Sequence, residues 1–230
     1  KSLLEQHRGD VAGIIMTPLG HPLAAPVQMP KPGFLEGVRE LCNQHETVLI
    51  FDEIRTGFRL NIGGGQSEFG VTPDLAVFGK AMGNGYPVGA VTGKAEIMDV
   101  LKSEVFLSST FFPNSDALVA ALKTIEIMER DNVLGVIRKK GEEFGNKLEE
   151  IVAKSSIDCS LSGAPWMPFI TFNKDKERKY KQRRTKFYTE VIRRKVFLQP
   201  FHHGYIAYRH TDQDLAQAAD AIKESLAELD

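Results

Sequence analysis

Two short stretches, Thr47-Val48-Leu49-Ile50-Phe51 and Leu75-Ala76-Val77-Phe78, are apolar at nearly every position and do not alternate. A strand with one wet face alternates apolar and polar residues, so continuous runs of this length predict strands covered on both faces. Such strands belong to mostly parallel sheets with crossover helices, and over residues 11–130 the pattern alternates strand and helix in the required way. Residues 11–16 read as a first strand. A loop carrying Pro18, Pro22, Pro26, Pro30 and Pro32 leads to a helix from Gly33 to about His45, whose apolar stripe is Phe34, Val38, Leu41 and Cys42. Strands 47–51 and 74–78 follow, then two more short strands at 88–91 and 105–108. A helix opens at Pro113 or Asn114, with Ala117, Leu118, Ala121, Leu122 and Ile125 on its inner side.

After Asp131-Asn132 the pattern changes. A charged amphipathic helix to about Ala153 is followed by short strands at 159–161 and 167–172, a helix over 182–194, a short extended Val196-Phe197-Leu198 and a last helix. Thr211 and Asp214 stand in capping-box spacing at the start of that helix. The expected organisation is therefore an α/β domain over residues 1–130 and an α+β domain over 131–230.

Composition narrows the function classes. The formal net charge is −1, and charged residues make up an ordinary 26% of the 230. No polyanion partner is indicated, since the most basic stretch, from Lys174 to Arg184, includes Asp175 and Glu177 and reads as a solvated helix start. No apolar run approaches the roughly 18 residues of a membrane span, and no signal-peptide pattern opens the chain, so a cytoplasmic protein is expected. Cys42 and Cys159 lack metal-ligand spacing and read as reduced thiols; no metal site is expected. The chain opens at Lys1 with what reads as the tail of a helix, as if inside a domain.

The chemistry sits where the strands end. The first continuous run delivers Asp52-Glu53, and the second delivers Gly79-Lys80. Ligands of open parallel sheets bind at the carboxyl edge of the strands, so these groups are expected to share one crevice. Lys80 is the only charged side chain among the nineteen residues 75–93. An amine in apolar surroundings has its pKa pushed down by desolvation and becomes nucleophilic, which suits an imine-forming lysine. Paired with an aspartate at the same edge, it suggests pyridoxal 5'-phosphate: the lysine holds the cofactor, and the carboxylate keeps the pyridine nitrogen protonated. The glycine-rich stretch 55–72 between the two strands is too long for a mere connector and is expected to serve the site.

Three segments then match a known family. Phe51-Asp52-Glu53-Ile54-Arg55-Thr56-Gly57-Phe58-Arg59, Phe69-Gly70-Val71-Thr72-Pro73-Asp74-Leu75 and Gly79-Lys80-Ala81-Met82-Gly83-Asn84-Gly85-Tyr86-Pro87-Val88-Gly89-Ala90 resemble the class III aminotransferases, especially the glutamate-1-semialdehyde aminomutase branch. The resemblance implies a fold-type-I pyridoxal-phosphate-dependent transferase. It implies that Lys80 carries the cofactor and shuttles the proton, and that Asp52 pairs with the pyridine nitrogen. It further implies that Ile54 packs on one ring face and that Glu53 orients the site through hydrogen bonds. Ser109 and Thr110, expected just before a helix, would bind the cofactor phosphate, with Thr110 reaching the neighbouring subunit of a homodimer with shared active sites.

The resemblance covers the chain but only the later part of a family member. Phe201-His202-His203-Gly204-Tyr205 and Arg209-His210-Thr211 resemble the aminomutase carboxyl-terminal motif, yet His202 stands where aminomutases carry glutamate. His202 and His203, read as strand neighbours, are expected to face opposite sides, leaving His202 for substrate contact or simple hydrogen bonding. Arg209 is open to two roles, a fork for a substrate carboxylate or a surface ion pair. The expected activity is transfer of an amino group between an amine or amino acid and a carbonyl compound. Aminomutase chemistry is the alternative, and a non-catalytic pseudoenzyme fragment or assembly subunit the alternative of another class.

Overall fold

The computed structural model describes residues 1–230 apart from Ala24, Ser109, Phe111, Pro113 and Asp230. Its contacts divide the chain into two compact units, Lys1–Leu19 with Pro30–Leu134, and Gly20–Met29 with Gly135–Asp230.

The first unit is built on a four-stranded sheet. After a short helix α1 (Ser2–Gln6) come β1 (Gly13–Met16), α2 (Phe34–Gln44), β2 (Val48–Asp52), α3 (Gly64–Phe69), β3 (Leu75–Phe78), β4 (Ala90–Gly93), α4 (Ala95–Met98) and α5 (Ser115–Arg130). Sheet order is β1-β2-β3-β4. The first three strands are parallel, with Met16 opposite Phe51 and Phe51 opposite Ala76, whereas β4 returns antiparallel with Ala90 opposite Phe78. The parallel pairs require crossovers, which α2 and the 53–74 stretch supply.

Strand alternation sorts the side chains between two faces. Leu49, Phe51 and Ala76 lie on one face, where Leu35 and Cys42 of α2 pack on the first two and Ala121 of α5 packs beside Ala76. Val48, Ile50, Asp52 and Val77 belong to the other, which is less covered: Ile15 there is 64% exposed and Val91 54%. The expectation of strands buried on both faces therefore holds for one face of this unit. The helices that could cover a sheet are α2 and α5, and both pack on the Leu49 side.

Three other expectations need correction. Residues 105–108 form no strand. On α2 the stripe is rotated by one position: Leu35 and Cys42 are buried and Phe34 is exposed. On α5 only Ala117 and Ala121 are buried, while Leu118 and Leu122 are exposed, because the apolar stripe is wider than the surface it packs on.

In the second unit α6 (Val133–Lys154), from Gly135 onward, is followed by the antiparallel hairpin β5 (Cys159–Ser162) and β6 (Phe169–Phe172), then α7 (Lys179–Arg193) and α8 (Asp212–Ala227). All four residues of β6 are buried. Phe187 of α7 meets Phe172 edge-on at 5.5 Å between ring centroids, and the Tyr188 hydroxyl donates to the Ile170 carbonyl at 2.8 Å. Thr211 and Asp214 form the expected capping box, which satisfies orphan amides at the start of α8. Val196-Phe197-Leu198 forms no strand. The chain beyond it runs beside residues 166–168 instead, where the Gly204 and Ile206 amides donate to the Pro168 and Trp166 carbonyls at 2.9 and 3.0 Å. The segment Gly20–Met29 is tied to this unit by the Val27 amide, which donates to Ser162 Oγ at 3.0 Å.

Candidate active site

Asp52 is the last residue of β2 and pairs in register with Val77, three residues before Lys80 on β3. Neighbouring strands lie about 4.8 Å apart, so the ends of β2 and β3 bring the acid and the lysine to one edge. Asp52 is half-buried on the less covered face. Its Oδ1 accepts the Ile54 amide at 3.0 Å, a local turn that fixes the carboxylate, and among the described residues no donor reaches Oδ2. One oxygen orients the group and the other is available.

Glu53 goes the other way, as strand alternation requires. It is fully buried. Its Oε2 accepts the Thr56 hydroxyl and the Gly65 amide, the latter at 2.9 Å, while Oε1 accepts the Gln66 amide at 2.9 Å. A buried carboxylate is tolerated because charge-assisted bonds of this kind replace its water. Gly64 and Gly65 permit the approach. A Cβ on Gly64, which sits at φ +79°, would lie 2.7 Å from the Glu53 carboxyl group, and one on Gly65 would lie 2.6 Å from Pro18 Cγ. The glycine-rich stretch is thus latched beneath the strand ends by Glu53, a role for both glycines that no local signal announces.

Lys80 opens a single 3-10 turn, Lys80–Met82, immediately after β3. It has φ +44°, a left-handed conformation that costs a residue bearing a Cβ about 1 kcal/mol. Strained backbone of this kind is retained where the surrounding structure fixes it, and functional turns are one such place. The side chain is exposed, which corrects the expectation that the apolar residues 75–93 enclose it. Those neighbours are the alternately buried β3 and the mostly exposed turns after it, which leave Lys80 open to solvent. Ile54 reaches the same edge: its side-chain carbons come within 4 Å of where a Cβ on Gly79 would be.

Thr110 lies in an exposed turn and Ser109 outside the described residues. Thr110 does not cap a helix, because α5 starts later and its cap is Asn114, whose Oδ1 accepts the Asp116 amide at 3.1 Å. His202 and Arg209 belong to the second unit. His202 Nδ1 donates to the His203 carbonyl at 2.8 Å, and the two rings stack with centroids 4.3 Å apart. They do not face opposite sides, since residues 200–202 form a turn and bend, residues 203–204 belong to no strand, and strand alternation does not apply. His203 is buried and shares a 2.9 Å hydrogen bond with the Tyr205 hydroxyl. Arg209 is exposed and makes no ion pair among the described residues.

The opposite edge of the sheet holds a second charged group that sequence alone did not single out. Asp74, 5% exposed, pairs with Arg39 Nη1 at 2.8 Å and Lys94 Nζ at 2.7 Å and accepts the Leu49 amide at 2.7 Å. Burial works to raise its pKa, but the bonds from Lys94, the Leu49 amide and Arg39 outweigh it and hold the carboxyl below its ordinary value. Asp74 precedes β3 and lies at the amino edge, so it fastens strands and plays no part in the edge chemistry.

Taken together, the carboxyl edge offers a primary amine on a strained turn, a fixed carboxylate with one available oxygen, and an aliphatic face beside a glycine. This donor set fits pyridoxal phosphate, which presents a carbonyl carbon, a basic ring nitrogen and a flat ring. Residues 1–226 match the family described as aminotransferase class-III. The chain belongs to the class-III aminotransferases. Members of this family are pyridoxal-phosphate-dependent, and their architecture is the fold-type-I arrangement expected from the motifs.

Two relatives define the neighbourhood. The chain is 61% identical over 229 residues to a 3-aminobutyryl-CoA aminotransferase of Cloacimonas acidaminovorans (strain Evry), which covers 100% of this chain and 55% of that protein. It is 34% identical over 235 residues to a glutamate-1-semialdehyde 2,1-aminomutase of Nitratidesulfovibrio vulgaris (strain DP4), covering 97% and 55%. Among solved structures, the internal aldimine form of the Sphingopyxis sp. MTA144 FumI protein superposes with a TM-score of 0.91 at 23% identity, over 99% of this chain and 54% of that one. An omega-transaminase from Sphaerobacter thermophilus gives 0.86 at 26% identity, over 98% and 54%. The chain spans about half the length of the curated relatives it matches.

Proposed function

We propose that this chain carries the reactive lysine of a pyridoxal-phosphate-dependent aminotransferase that moves an amino group between an amine or amino acid and a carbonyl compound, one of the pair being a 3-aminoacyl-CoA thioester. The observation that carries the reading is the convergence of Lys80, Asp52 and Ile54 at the carboxyl ends of β2 and β3. The substrate class rests on the 61% identity to a 3-aminobutyryl-CoA aminotransferase.

Bound pyridoxal phosphate supplies an electron-withdrawing ring that accepts charge from the carbon losing its proton. Lys80 Nζ would hold the cofactor covalently, and as a free amine it would take and return the proton at the substrate carbon. Asp52 Oδ2 would hold a proton at the ring nitrogen, with Oδ1 anchored on the Ile54 amide. Ile54 would offer its aliphatic side chain to the cofactor, and Glu53 keeps the 55–66 stretch in place beneath the site. Ser109 and Thr110 bind phosphate, Thr110 across the interface of a homodimer; its exposure leaves it available for that contact. Residues 1–130 serve as the later part of the cofactor domain and 131–230 as the small domain. His202 and Arg209 contact substrate. No helix among the described residues is long and apolar enough to cross a membrane, and a cytoplasmic location accords with that.

Aminomutase chemistry is the second reading, favoured by the 34% identity to glutamate-1-semialdehyde aminomutases. His202 in place of their glutamate weighs against it. Product analysis of the full-length protein with and without an added 2-oxo acid separates the two. Aminotransfer requires the acceptor, and conversion proceeding without one overturns the proposal.

A further inference from the structure

The basic segment that opens α7 lies outside the residues that hold the cofactor. Residues 174–186 contain eight lysines and arginines against two acidic residues, in a chain whose net charge is −1. Concentrating cations in this way costs self-repulsion, which a bound anion relieves. The acids present are already committed. Asp175 accepts the Lys179 and Tyr180 amides at 2.9 and 2.8 Å and lies 3.6 Å from Arg183, and Glu177 pairs with Lys179. Lys181 and Arg184 have no carboxylate partner among the described residues.

Arg184 is also not a freely solvated side chain. Its guanidinium lies over the ring of Phe201, 4.4 Å from the centroid, and Phe201 is itself 47% exposed. Contact with the ring holds the guanidinium beside Phe201, and its N–H groups can serve an acceptor such as phosphate. Phe201 immediately precedes His202. A half-exposed aromatic ring, a stacked guanidinium and neighbouring lysine charges make a surface for an anion that also has an aromatic part, which describes a phosphorylated nucleoside.

We infer that Arg184, Lys181 and Phe201 bind the 3'-phosphorylated adenosine diphosphate of a coenzyme A thioester. This rests on the substrate class proposed above, and adds where the nucleotide is held. The phosphates take the Arg184 and Lys181 donors, and the adenine packs against the Phe201–Arg184 stack. The nucleotide is remote from the transferred amino group, so this surface contributes affinity and leaves the chemical step alone.

The test uses the full-length holoenzyme and compares a 3-aminoacyl-CoA with the matching 3-aminoacyl-pantetheine, which lacks the nucleotide. The ratio of KM for the pantetheine thioester to KM for the CoA thioester should be well above one in the wild type, fall about tenfold in Lys181→Glu and fall further in Lys181→Glu/Arg184→Glu, a tenfold change being what one good charge-assisted contact supplies. The control Lys154→Glu, a charge reversal at the end of α6, should keep the ratio. Titration with adenosine 3',5'-bisphosphate, followed by calorimetry, should show binding that weakens with added salt and in Lys181→Glu. A KM ratio near one in the wild type, a ratio insensitive to both variants, or inorganic phosphate competing as well as the bisphosphate would overturn the inference. Absence of turnover with any aminoacyl thioester, while amino acids are turned over, would instead remove the substrate class and this inference with it.

Discussion

The buried carboxylate of Glu53 accepts the backbone amide of Gly65 at 2.9 Å, across twelve residues of chain, and this bond joins the end of β2 to the start of α3. Glu53→Ala would strand that amide, the Gln66 amide and the Thr56 hydroxyl together. A loss of about 3 kcal/mol is expected, since each buried group left unsatisfied costs on the order of 1 kcal/mol or more. Urea unfolding of the variant checks it, and an unchanged midpoint would show the latch to be unimportant.

Gly64 offers an independent check of the same latch. Its positive φ and the 2.7 Å approach of a Cβ to the Glu53 carboxyl group both oppose a side chain. Gly64→Ala should cost about 2 kcal/mol. Combined with Glu53→Ala the two losses should be less than additive, because each removes the same contact, and a double-mutant cycle measures that.

Asp74 makes stability depend on acid. Its folded pKa is lowered, so its contribution is fully present above the unfolded value of about 3.9 and is lost as pH falls through the lower folded value. Asp74→Asn should therefore cost about 3 kcal/mol near neutrality, by leaving Arg39 and Lys94 without their partner, and progressively less below about pH 4. Unfolding curves of both proteins at several pH values test this; a gap that widens on acidification would contradict it.

Burial pushes the Cys159 thiol up to about 11, with the nearby Asp158 charge adding to the effect. At pH 8 only about one molecule in a thousand would then carry the thiolate. Alkylation of Cys159 by iodoacetamide should be slow at pH 8 and accelerate steeply toward pH 11. Mass spectrometry of the labelled peptide reads this directly, and rapid labelling at pH 8 would show the site to be open.

Much of this was legible in the sequence because it is local or periodic. The apolar runs gave β2 and β3, the position of Asp52 and Lys80 after them gave the edge, and Thr211 with Asp214 gave the cap of α8. What escaped depends on partners distant along the chain. The Glu53–Gly65 and Asp74–Arg39 bonds join residues separated by 12 and 35 positions. Residues 105–108 and 196–198 have strand-like composition but acquire no pairing partner, so composition alone misled. The stacked pair His202 and His203 shows the same limit, since a turn cancels the alternation that a strand would impose.

Asp52 and Lys80 carry the functional account. Asp52→Ala should retain part of the cofactor and lose turnover by at least about 100-fold, because the carboxylate that sustains charge at the ring nitrogen is gone. Unchanged turnover would remove Asp52 from its assigned role.

The most direct test concerns Lys80 itself. Full-length protein loaded with pyridoxal phosphate is reduced with borohydride, digested, and searched by mass spectrometry for the peptide that carries the cofactor. The assignment of Lys80 as the cofactor-bearing residue requires the added mass on Lys80 and its disappearance, together with the visible absorbance of the holoprotein, in Lys80→Ala. Cofactor mass on a different lysine, or absorbance that survives in Lys80→Ala, would contradict it.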